Sequence, residues 1–371
     1  MLERYGHGGD LRTAQELFGL PADQFHDFSA NMNPYGPPAC VAEVLRTYTD
    51  SIDRYPDPSV RELRRKLGIH HDLDPSCVLV GNGAAELIDL AVRVYRPEVT
   101  AVTGPSFVEY ADAARKCGSP IHVLPLYPEN DFRLTADTIR RALLDFRRRG
   151  IQPGQALWFL GSPNNPTGQL VEPAIIRELL LEGERVIVDE AFMDFVPDAA
   201  NYSLLREAEV NERLTVIRSM TKFYAIPGIR LGYAAGSPQT IAELGRLQVP
   251  WSVNSLSQQI GSAVLDEKQY AENTLTWLKQ ERPWLESQLS ALGLRVYPGE
   301  VNYILFSIPA EFNLTSKELQ HEMGVRGVLI RDASGFDGLD ETFCRIAVRF
   351  REEHLRLLDV MKNVLADPSR P

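Results

Sequence analysis

The sequence is poor in the features that mark secreted and membrane-spanning proteins. Its 371 residues include only four cysteines, Cys40, Cys77, Cys117 and Cys344, and none of them forms a CxxC pair. This spacing argues against a disulfide framework and a zinc site, and it favours reduced thiols in a cytoplasm. We expect no signal peptide and no membrane span, because the N-terminus lacks an apolar segment and no run reaches about 18 consecutive apolar residues.

Basic residues are fewer than acidic ones. The chain has 50 acidic residues against 39 lysines and arginines, which gives a formal net charge of −11. This balance argues against nucleic acid as a partner, although a locally basic site for an anionic substrate is compatible with it. The hydrophobic content of 44% and the charged content of 24% are ordinary for a globular enzyme with a sizeable core.

Apolar runs alternate with helical patterns over the middle of the chain. The predicted strands are Cys77–Val80, Val99–Thr103, Ile121–Leu124, Gln155–Leu160, the run that ends at Asp189–Glu190, and Leu214–Ile217. Strands that are apolar throughout and separated by helices predict an α/β fold with three layers and a mostly parallel sheet. We expect residues 51–250 to form this large domain. Residues 251–371 read as bridging helices and a smaller α+β domain, to which residues 1–50 contribute.

A glycine turn follows the first predicted strand. Gly81, Asn82 and Gly83 lead into a helix that we expect to begin at Ala84 or Ala85. A helix opened in this way presents free backbone N–H groups at the positive end of its dipole, where a phosphate binds well. The turn is neither a Walker loop nor a GxGxxG fingerprint, and such turns are common, so it is weak evidence by itself.

The stretch Arg218–Gly232 carries Lys222 on a loop just past a predicted strand end. Open α/β sheets bind their ligands at such strand ends. Ser219, Thr221 and Arg230 accompany the lysine, which suggests an amine held near a bound phosphate. Neighbouring cations favour the neutral, nucleophilic form of a lysine. An ordinary surface lysine is the alternative on this stretch alone.

Two further polar residues follow strands of the same predicted sheet. Asn165 lies in the loop GSPNNPTG, and Asp189 ends its strand. Together with Lys222 they suggest a pyridoxal phosphate site. This coenzyme needs an amine for its aldehyde, an anion opposite its ring nitrogen, a donor to its 3′ oxygen and a cradle for its phosphate. Lys222, Asp189 and Asn165 supply the first three. The residues that we expect to form the phosphate cradle are Gly83, Ala84, Ala85, Ser219, Thr221 and Arg230.

Four motifs carry a resemblance to a known family over nearly the whole chain. They are SPNNPTG (Ser162–Gly168), DEAF (Asp189–Phe192), SMTKFYAIPGIRLG (Ser219–Gly232) and RIAVR (Arg345–Arg349). The sequence resembles the fold-type I, or aspartate aminotransferase-like, pyridoxal phosphate enzymes. The resemblance implies that Phe107 stacks on the coenzyme and that Tyr55 reaches the phosphate in a neighbouring subunit, hence a homodimer. Phe192 departs from the family, since many aminotransferases have a tyrosine there.

Within this family the sequence is similar to two branches, the histidinol-phosphate aminotransferases and the threonine-phosphate decarboxylases of cobalamin biosynthesis. GHGGD (Gly6–Asp10), DFSANMNP (Asp27–Pro34) and QVPWSVN (Gln248–Asn254) are more similar to the decarboxylases. The resemblance implies these substrate contacts: His7, Gly8, Asn31, Asn165, Arg331 and Arg345. Planar arginine forks suit a small substrate with a phosphate and a carboxylate. From the residues alone, GHGGD reads more simply as a disordered tail. For Arg331 and Arg345, surface ion pairs are the alternative to a role in binding.

We therefore expect decarboxylation of L-threonine O-3-phosphate to (R)-1-aminopropan-2-ol O-2-phosphate and CO2, with Lys222 and Asp189 as the catalytic residues. A histidinol-phosphate-type aminotransferase is the alternative from the same class. A coenzyme-binding protein without activity is a third hypothesis, which the absence of a DNA-binding appendage disfavours. Phosphoserine stays open as the substrate, because one methyl group discriminates by only about 1–3 kcal/mol.

Overall fold

The computed structural model describes Leu2 and residues 8–366. The α-helices of this part are α1 (Leu11–Phe18), α2 (Ala39–Tyr48), α3 (Arg61–His71), α4 (Gly83–Tyr95), α5 (Val108–Lys116), α6 (Ala136–Arg148), α7 (Pro173–Leu181), α8 (Leu205–Glu209), α9 (Pro238–Leu247), α10 (Ser255–Val264), α11 (Lys268–Ala291), α12 (Ser316–Val325) and α13 (Arg351–Leu365). Its strands are β1 (His26–Asp27), β2 (Val78–Gly81), β3 (Val99–Gly104), β4 (Ile121–Pro125), β5 (Ala156–Gly161), β6 (Arg185–Asp189), β7 (Leu214–Ser219), β8 (Gly232–Ala235), β9 (Arg295–Val296), β10 (Tyr303–Ser307), β11 (Val328–Leu329), β12 (Arg331–Asp332) and β13 (Phe343–Ala347). None of the described helices is long and apolar enough to cross a membrane.

The largest sheet among the described residues has seven strands. Its strand order is β2-β8-β7-β6-β5-β3-β4, and β8 alone runs antiparallel to its neighbours. The sheet is therefore mostly parallel, as the alternation of apolar runs and helices predicted. Each predicted strand of this sheet is present, with bounds that differ by one or two residues.

Helices cover both faces of this sheet. Successive residues of β5 point to opposite faces. Trp158 belongs to the core that includes residues of α6 and α7, whereas Phe159 belongs to the core that α4, α5 and α9 complete. Both side chains are fully buried. The three-layer α/β architecture expected from the sequence is thus confirmed.

A second, four-stranded antiparallel sheet has the order β12-β13-β10-β9. The N-terminal segment joins this part of the chain, because β1 pairs in parallel with β11. Phe28 extends the pairing: its N–H donates to Leu329 O at 2.8 Å, and its carbonyl accepts from Ala347 N at 2.8 Å. Residues near both ends of the chain therefore lie together. The domain boundaries near residues 50 and 250 stay predictions.

The strand β8 was absent from the sequence prediction. Its residues, Gly232–Ala235, are small apart from Tyr233 and have little β-branched character. Pairing with β2 and β7 on either side holds the segment extended, which is a tertiary effect that local propensity does not reveal. The helices α1, α2, α8 and α9 were also not predicted.

Three strands position the polar residues at one edge of the large sheet. β5, β6 and β7 are parallel neighbours, and Gly161 is in register with Asp189. Their carboxyl ends therefore lie side by side, at the edge where open α/β sheets bind ligands. Asn165, Asp189 and Lys222 lie at or just after these three ends.

Candidate active site

A cavity of about 370 Å³ opens at this edge. Its volume lies within the range of small-molecule and cofactor sites. The predicted site residues that line it are Gly8, Asn31, Ala84, Ala85, Phe107, Asn165, Asp189, Ser219, Thr221, Lys222, Arg230, Arg331 and Arg345. Segments from both sheets and from the N-terminal region thus meet at one site.

Lys222 lies in the loop after β7, and its amine donates a hydrogen bond to Thr221 Oγ1 at 3.0 Å. Burial and the nearby Arg230 guanidinium lower the pKa of the lysine from 10.5 to about 8, although Asp189 opposes this shift. Since the amine is neutral above its pKa, a substantial fraction is available as a nucleophile near pH 8.

The loop that carries Lys222 is tied to the N-terminal segment. The backbone N–H of Asn33 donates to Lys222 O at 3.2 Å. Its side-chain amide donates to Phe223 O and to Thr274 Oγ1, both at 2.8 Å. These contacts hold the backbone of the loop in place at Lys222, and so they fix the position from which its side chain extends into the cavity.

Asp189 ends β6 in a fully buried position. Burial raises the pKa of its carboxyl, and hydrogen bonds from Tyr110 and from the Ala191 N–H act in the opposite direction. The Tyr110 hydroxyl donates to Oδ2 at 2.8 Å, and Ala191 N donates to Oδ1 at 2.9 Å. These two donors favour the ionised form of this buried carboxylate.

The start of α4 forms an anion cradle. Asn82, the residue before the helix, makes no side-chain capping bond, so the first N–H groups are not capped by it. Gly83 has φ +77°, and a Cβ there would lie 2.6 Å from Arg230 Nη2. Only glycine therefore allows the guanidinium to lie against this turn. The helix begins at Gly83, one or two residues earlier than the predicted start at Ala84 or Ala85.

Two hydroxyls complete the cradle. Ser219 Oγ and Thr221 Oγ1 are 2.8 Å apart at the end of β7, and both residues line the cavity together with Ala84, Ala85 and Arg230. Backbone donors at a helix start, two hydroxyls and a guanidinium are the groups that bind a phosphate. Gly83 does not line the cavity but makes room for Arg230.

Two buried arginines also line the cavity. Arg331 and Arg345 are 7% and 6% exposed, so the alternative that they form surface ion pairs is wrong. Arg345 donates from Nη1 to Asn165 Oδ1 and from Nη2 to Ser29 O. The guanidinium of Arg331 lies 5.6 Å from the ring centroid of Phe336, which also lines the cavity.

Asn31 and Gly8 bring the N-terminal region to the same cavity. Asn31 is 4% exposed, and its Oδ1 has no hydrogen-bond partner among the described residues. At Gly8 a Cβ would lie 2.3 Å from Ser29 O, so glycine permits this close approach. The predicted contact His7 lies outside the described residues.

Tyr55 does not line the cavity of its own chain. It is 83% exposed, and its ring lies 5.2 Å from that of Trp251. Phe107, by contrast, lies in the cavity wall beside the start of α5. The role of Tyr55 in a neighbouring subunit stays a prediction.

Sequence reasoning missed several residues of the site. Tyr110 contacts Asp189 directly, and Phe336 forms part of the wall. The spacing of Phe107 and Tyr110, three residues apart at a helix start, was the one available signal, because such residues share a helix face. Phe336 lies in a loop whose pattern gave no signal.

A buried ion pair between Arg218 and Glu190 lies next to the site residues Ser219 and Asp189. Arg218 Nε donates to Glu190 Oε2 at 2.8 Å, and its Nη1 donates to Asp194 Oδ1 at 2.6 Å. Ser203 bonds both Arg218 and Glu190. Arg218 and Glu190 directly adjoin Ser219 and Asp189, so this network fixes the ends of β6 and β7 against each other.

The donor set fits pyridoxal phosphate. A buried amine with a lowered pKa, a buried carboxylate with two donors, and an anion cradle all face one cavity. Phe107 supplies an aromatic wall. The site thus has the groups that this coenzyme needs for its aldehyde, ring nitrogen and phosphate.

The fold and the site together define a pyridoxal phosphate enzyme of the α/β, fold-type I class. The model of the family Aminotransferase class I and II matches residues 23–359. The chain belongs to this family.

Curated relatives match along almost their whole length. The chain is 36% identical to a threonine-phosphate decarboxylase of Salmonella typhimurium, over 97% of this chain and 96% of the relative. It is 30% identical to a histidinol-phosphate aminotransferase of Methanothermobacter thermautotrophicus, over 97% and 94%. Among solved structures, the histidinol-phosphate aminotransferase of Clostridium acetobutylicum superposes with a TM-score of 0.82 at 27% identity, over 91% of this chain and 98% of that one.

Proposed function

We propose that the protein decarboxylates L-threonine O-3-phosphate to (R)-1-aminopropan-2-ol O-2-phosphate and CO2, with pyridoxal phosphate as its coenzyme. The observation that carries the proposal is the meeting, in one cavity, of Lys222 and Asp189 with the buried pair Arg331 and Arg345. The similarity to a threonine-phosphate decarboxylase at 36% identity supports the same substrate and places the reaction in cobalamin biosynthesis.

The coenzyme is held by the residues that line its side of the cavity. Ser219, Thr221, Arg230 and the N–H groups at Ala84 and Ala85 would bind the phosphate, and Phe107 would stack on the ring. Asn165 would donate to the 3′ oxygen, and Asp189 would pair with the ring nitrogen. The bound coenzyme supplies an electron sink for the pair that CO2 leaves behind.

The substrate has two anionic groups, a phosphate and a carboxylate, and the cavity is lined by two buried guanidinium groups. Arg331 and Arg345 bind these groups with charge-assisted hydrogen bonds, and His7, Gly8, Asn31 and Asn165 complete the contacts. Holding both ends fixes which bond at Cα lies perpendicular to the coenzyme ring. In the proposed reaction this is the bond to the carboxylate.

Lys222 has two tasks in this scheme. Its amine would hold the coenzyme through the aldehyde group, and the same amine would deliver a proton to Cα once the substrate is bound. The proton replaces the carboxylate on Cα, and the product keeps the original Cα hydrogen because that bond is not broken. A lysine with a pKa of about 8 changes its protonation state readily near neutral pH.

Incubation with phosphothreonine in the absence of any 2-oxo acid tests the reaction. We expect stoichiometric release of CO2 and of 1-aminopropan-2-ol phosphate. The same assay with phosphoserine measures the discrimination that one methyl group provides. Release of CO2 from neither substrate would contradict the proposal.

An aminotransferase that acts on histidinol phosphate is the second candidate, because relatives with that name are 30% identical. Phe192 favours the decarboxylase. It packs edge-on against Tyr303, with ring centroids 4.9 Å apart, in the cavity wall. Residue 192, which is a tyrosine in many aminotransferases, thus has no hydroxyl to direct to the 3′ oxygen.

We further propose a homodimer with shared sites. Tyr55 is 83% exposed and lies outside its own cavity, which leaves the ring free to reach the phosphate of a neighbour. A cytoplasmic location stays a prediction from the spacing of the four cysteines. The division into residues 1–50, 51–250 and 251–371 is likewise part of the proposal.

A further inference from the structure

Tyr110 makes the one side-chain hydrogen bond to Asp189 that the described residues provide. Its hydroxyl donates to Oδ2 at 2.8 Å, while the Ala191 N–H donates to Oδ1 at 2.9 Å. Tyr110 and Asp189 are only 2% and 5% exposed. Each carboxylate oxygen thus has one protein donor, and each keeps a further lone pair for a group in the cavity.

The position of this hydroxyl is set by packing on several sides. The Tyr110 ring stacks on Phe159 of β5, with centroids 4.2 Å apart and planes at 14°. It also meets Phe107 edge-on at 5.6 Å. These contacts leave the ring little freedom to turn away from Asp189.

Gly161 leaves room for the Tyr110 hydroxyl beside Asp189. It ends β5 directly opposite Asp189 in the register of the sheet. A Cβ at this position would lie 3.2 Å from the Tyr110 hydroxyl oxygen, which is tighter than ordinary van der Waals contact. The lack of a side chain at Gly161 therefore accommodates the tyrosine hydroxyl.

We propose that Tyr110 is a positioning residue that keeps Asp189 ionised and oriented toward the coenzyme ring nitrogen. The inference rests on the coenzyme site of the proposed function. Tyr110 lies in the cavity wall beside Phe107, yet its hydroxyl is directed to the carboxylate, so we expect it to act through Asp189.

The physical reason is that a donor to a carboxylate stabilises its charged form. Burial raises the pKa of Asp189, and the Tyr110 hydrogen bond opposes this. The other titratable groups around the carboxyl are Lys222, which lowers its pKa, and Glu190, which raises it, with Tyr303 of β10 also close enough to interact. Without the tyrosine donor the carboxylate becomes more basic. The proton that it shares with the ring nitrogen then moves toward Asp189.

Tyr110→Phe tests this, because it removes the hydroxyl and keeps the stacked ring. Tyr95→Phe is the matched control: the Tyr95 hydroxyl is also buried in the core of the same sheet, but it bonds Thr215 Oγ1 at 2.7 Å, away from the site. The main readout is the ¹⁵N NMR shift of the ring nitrogen in holoenzyme loaded with labelled coenzyme.

We expect the ¹⁵N shift to move toward that of an unprotonated pyridine in Tyr110→Phe and to stay at the wild-type value in Tyr95→Phe. With phosphothreonine, kcat should fall at least about tenfold, the scale of one charge-assisted hydrogen bond, while KM changes far less. An unchanged ¹⁵N shift in Tyr110→Phe would overturn the inference.

A second readout does not depend on the coenzyme. In the full-length apo-protein with ¹³C-labelled aspartate carboxyls, the Asp189 signal is assigned from Asp189→Asn. It should titrate at higher pH in Tyr110→Phe than in wild type, and equal midpoints would also overturn the inference. Failure of the wild-type protein to take up coenzyme would instead refute the proposed function, and this titration would then decide the role of Tyr110 alone.

Discussion

Arg345 and Asn165 lie 180 residues apart in the chain and are joined by a hydrogen bond from Nη1 to Oδ1. Arg345 belongs to β13 of the small sheet, whereas Asn165 lies in the loop after β5 of the large one. The Nη2 group of the same arginine donates to Ser29 O at 3.1 Å. One guanidinium therefore connects three segments around the cavity and links a proposed substrate contact to a proposed coenzyme contact.

Loss of either cavity arginine should impair the reaction. We expect Arg331→Ala and Arg345→Ala each to lower kcat/KM for phosphothreonine by at least about tenfold, since a hydrogen bond to a charged group contributes roughly 1.5–3 kcal/mol. Arg140→Ala is the control, because Arg140 pairs with Glu178 on the surface. Steady-state kinetics check this. A change of less than about twofold in both cavity variants would exclude them as substrate contacts.

The amine of Lys222 should react with the coenzyme in a pH-dependent way. Its pKa is lowered to about 8, so the neutral fraction rises about tenfold per pH unit below pH 8 and levels off above it. We expect the rate of covalent attachment of pyridoxal phosphate to apo-protein to follow this curve. Borohydride trapping and peptide mapping at a series of pH values measure it.

Two results would contradict that prediction. An inflection near the ordinary lysine value of 10.5 would mean that the amine is not perturbed. A trapped label on a lysine other than Lys222 would mean that the assignment itself is wrong. Lys222→Ala should carry no label and serves as the blank.

The shared site can be tested with hybrid dimers. When Tyr55→Phe subunits are mixed with Lys222→Ala subunits, each hybrid should contain one intact site and one site that lacks both groups. Activity should therefore recover toward half of the wild-type value per hybrid dimer. If Tyr55 served its own chain, no hybrid site would be intact, and mixing would restore nothing.

The ion pair beneath the site should contribute to stability. Glu190 and Arg218 are 1% and 3% exposed, and removal of one partner from a buried pair costs about 3–5 kcal/mol. We expect Glu190→Gln to lower the free energy of unfolding by about 3 kcal/mol, since Asp194 still pairs with Arg218. The exposed pair Arg140–Glu178 offers the control Glu178→Gln, which should cost less than about 1 kcal/mol. Urea denaturation measures the free energy of unfolding of both variants. Equal losses in Glu190→Gln and Glu178→Gln would contradict a structural role for the buried pair.

Much of the large sheet could be predicted because its signals are local. Continuous apolar runs such as β5 and β6 are typical of strands that are buried on both faces, and polar residues after such strands fall at one edge. The sequence alone therefore predicts that Asn165, Asp189 and Lys222 lie together. This prediction depends only on the fact that parallel strands end at the same edge of a sheet.

The remaining parts of the site depend on contacts between distant segments. Tyr110 reaches Asp189 across 79 residues, and this contact requires α5 to pack on β5 and requires Gly161 to leave space. Asn33 accepts a local turn hydrogen bond from the Tyr35 N–H, and its side chain also ties the N-terminal loop to Phe223 and Thr274. Tertiary packing decides such pairs, and no periodicity within one element encodes them.

The central claim is that the bond from Cα to the carboxylate breaks while the Cα hydrogen stays. The most direct measurement is the reaction of phosphothreonine in ²H₂O without a 2-oxo acid, followed by NMR of the product. We predict 1-aminopropan-2-ol phosphate that keeps the original Cα hydrogen and carries a single deuterium at the same carbon, with an equal amount of CO2. Loss of the Cα hydrogen to solvent without CO2, together with amino transfer from histidinol phosphate to 2-oxoglutarate, would contradict the account and identify an aminotransferase.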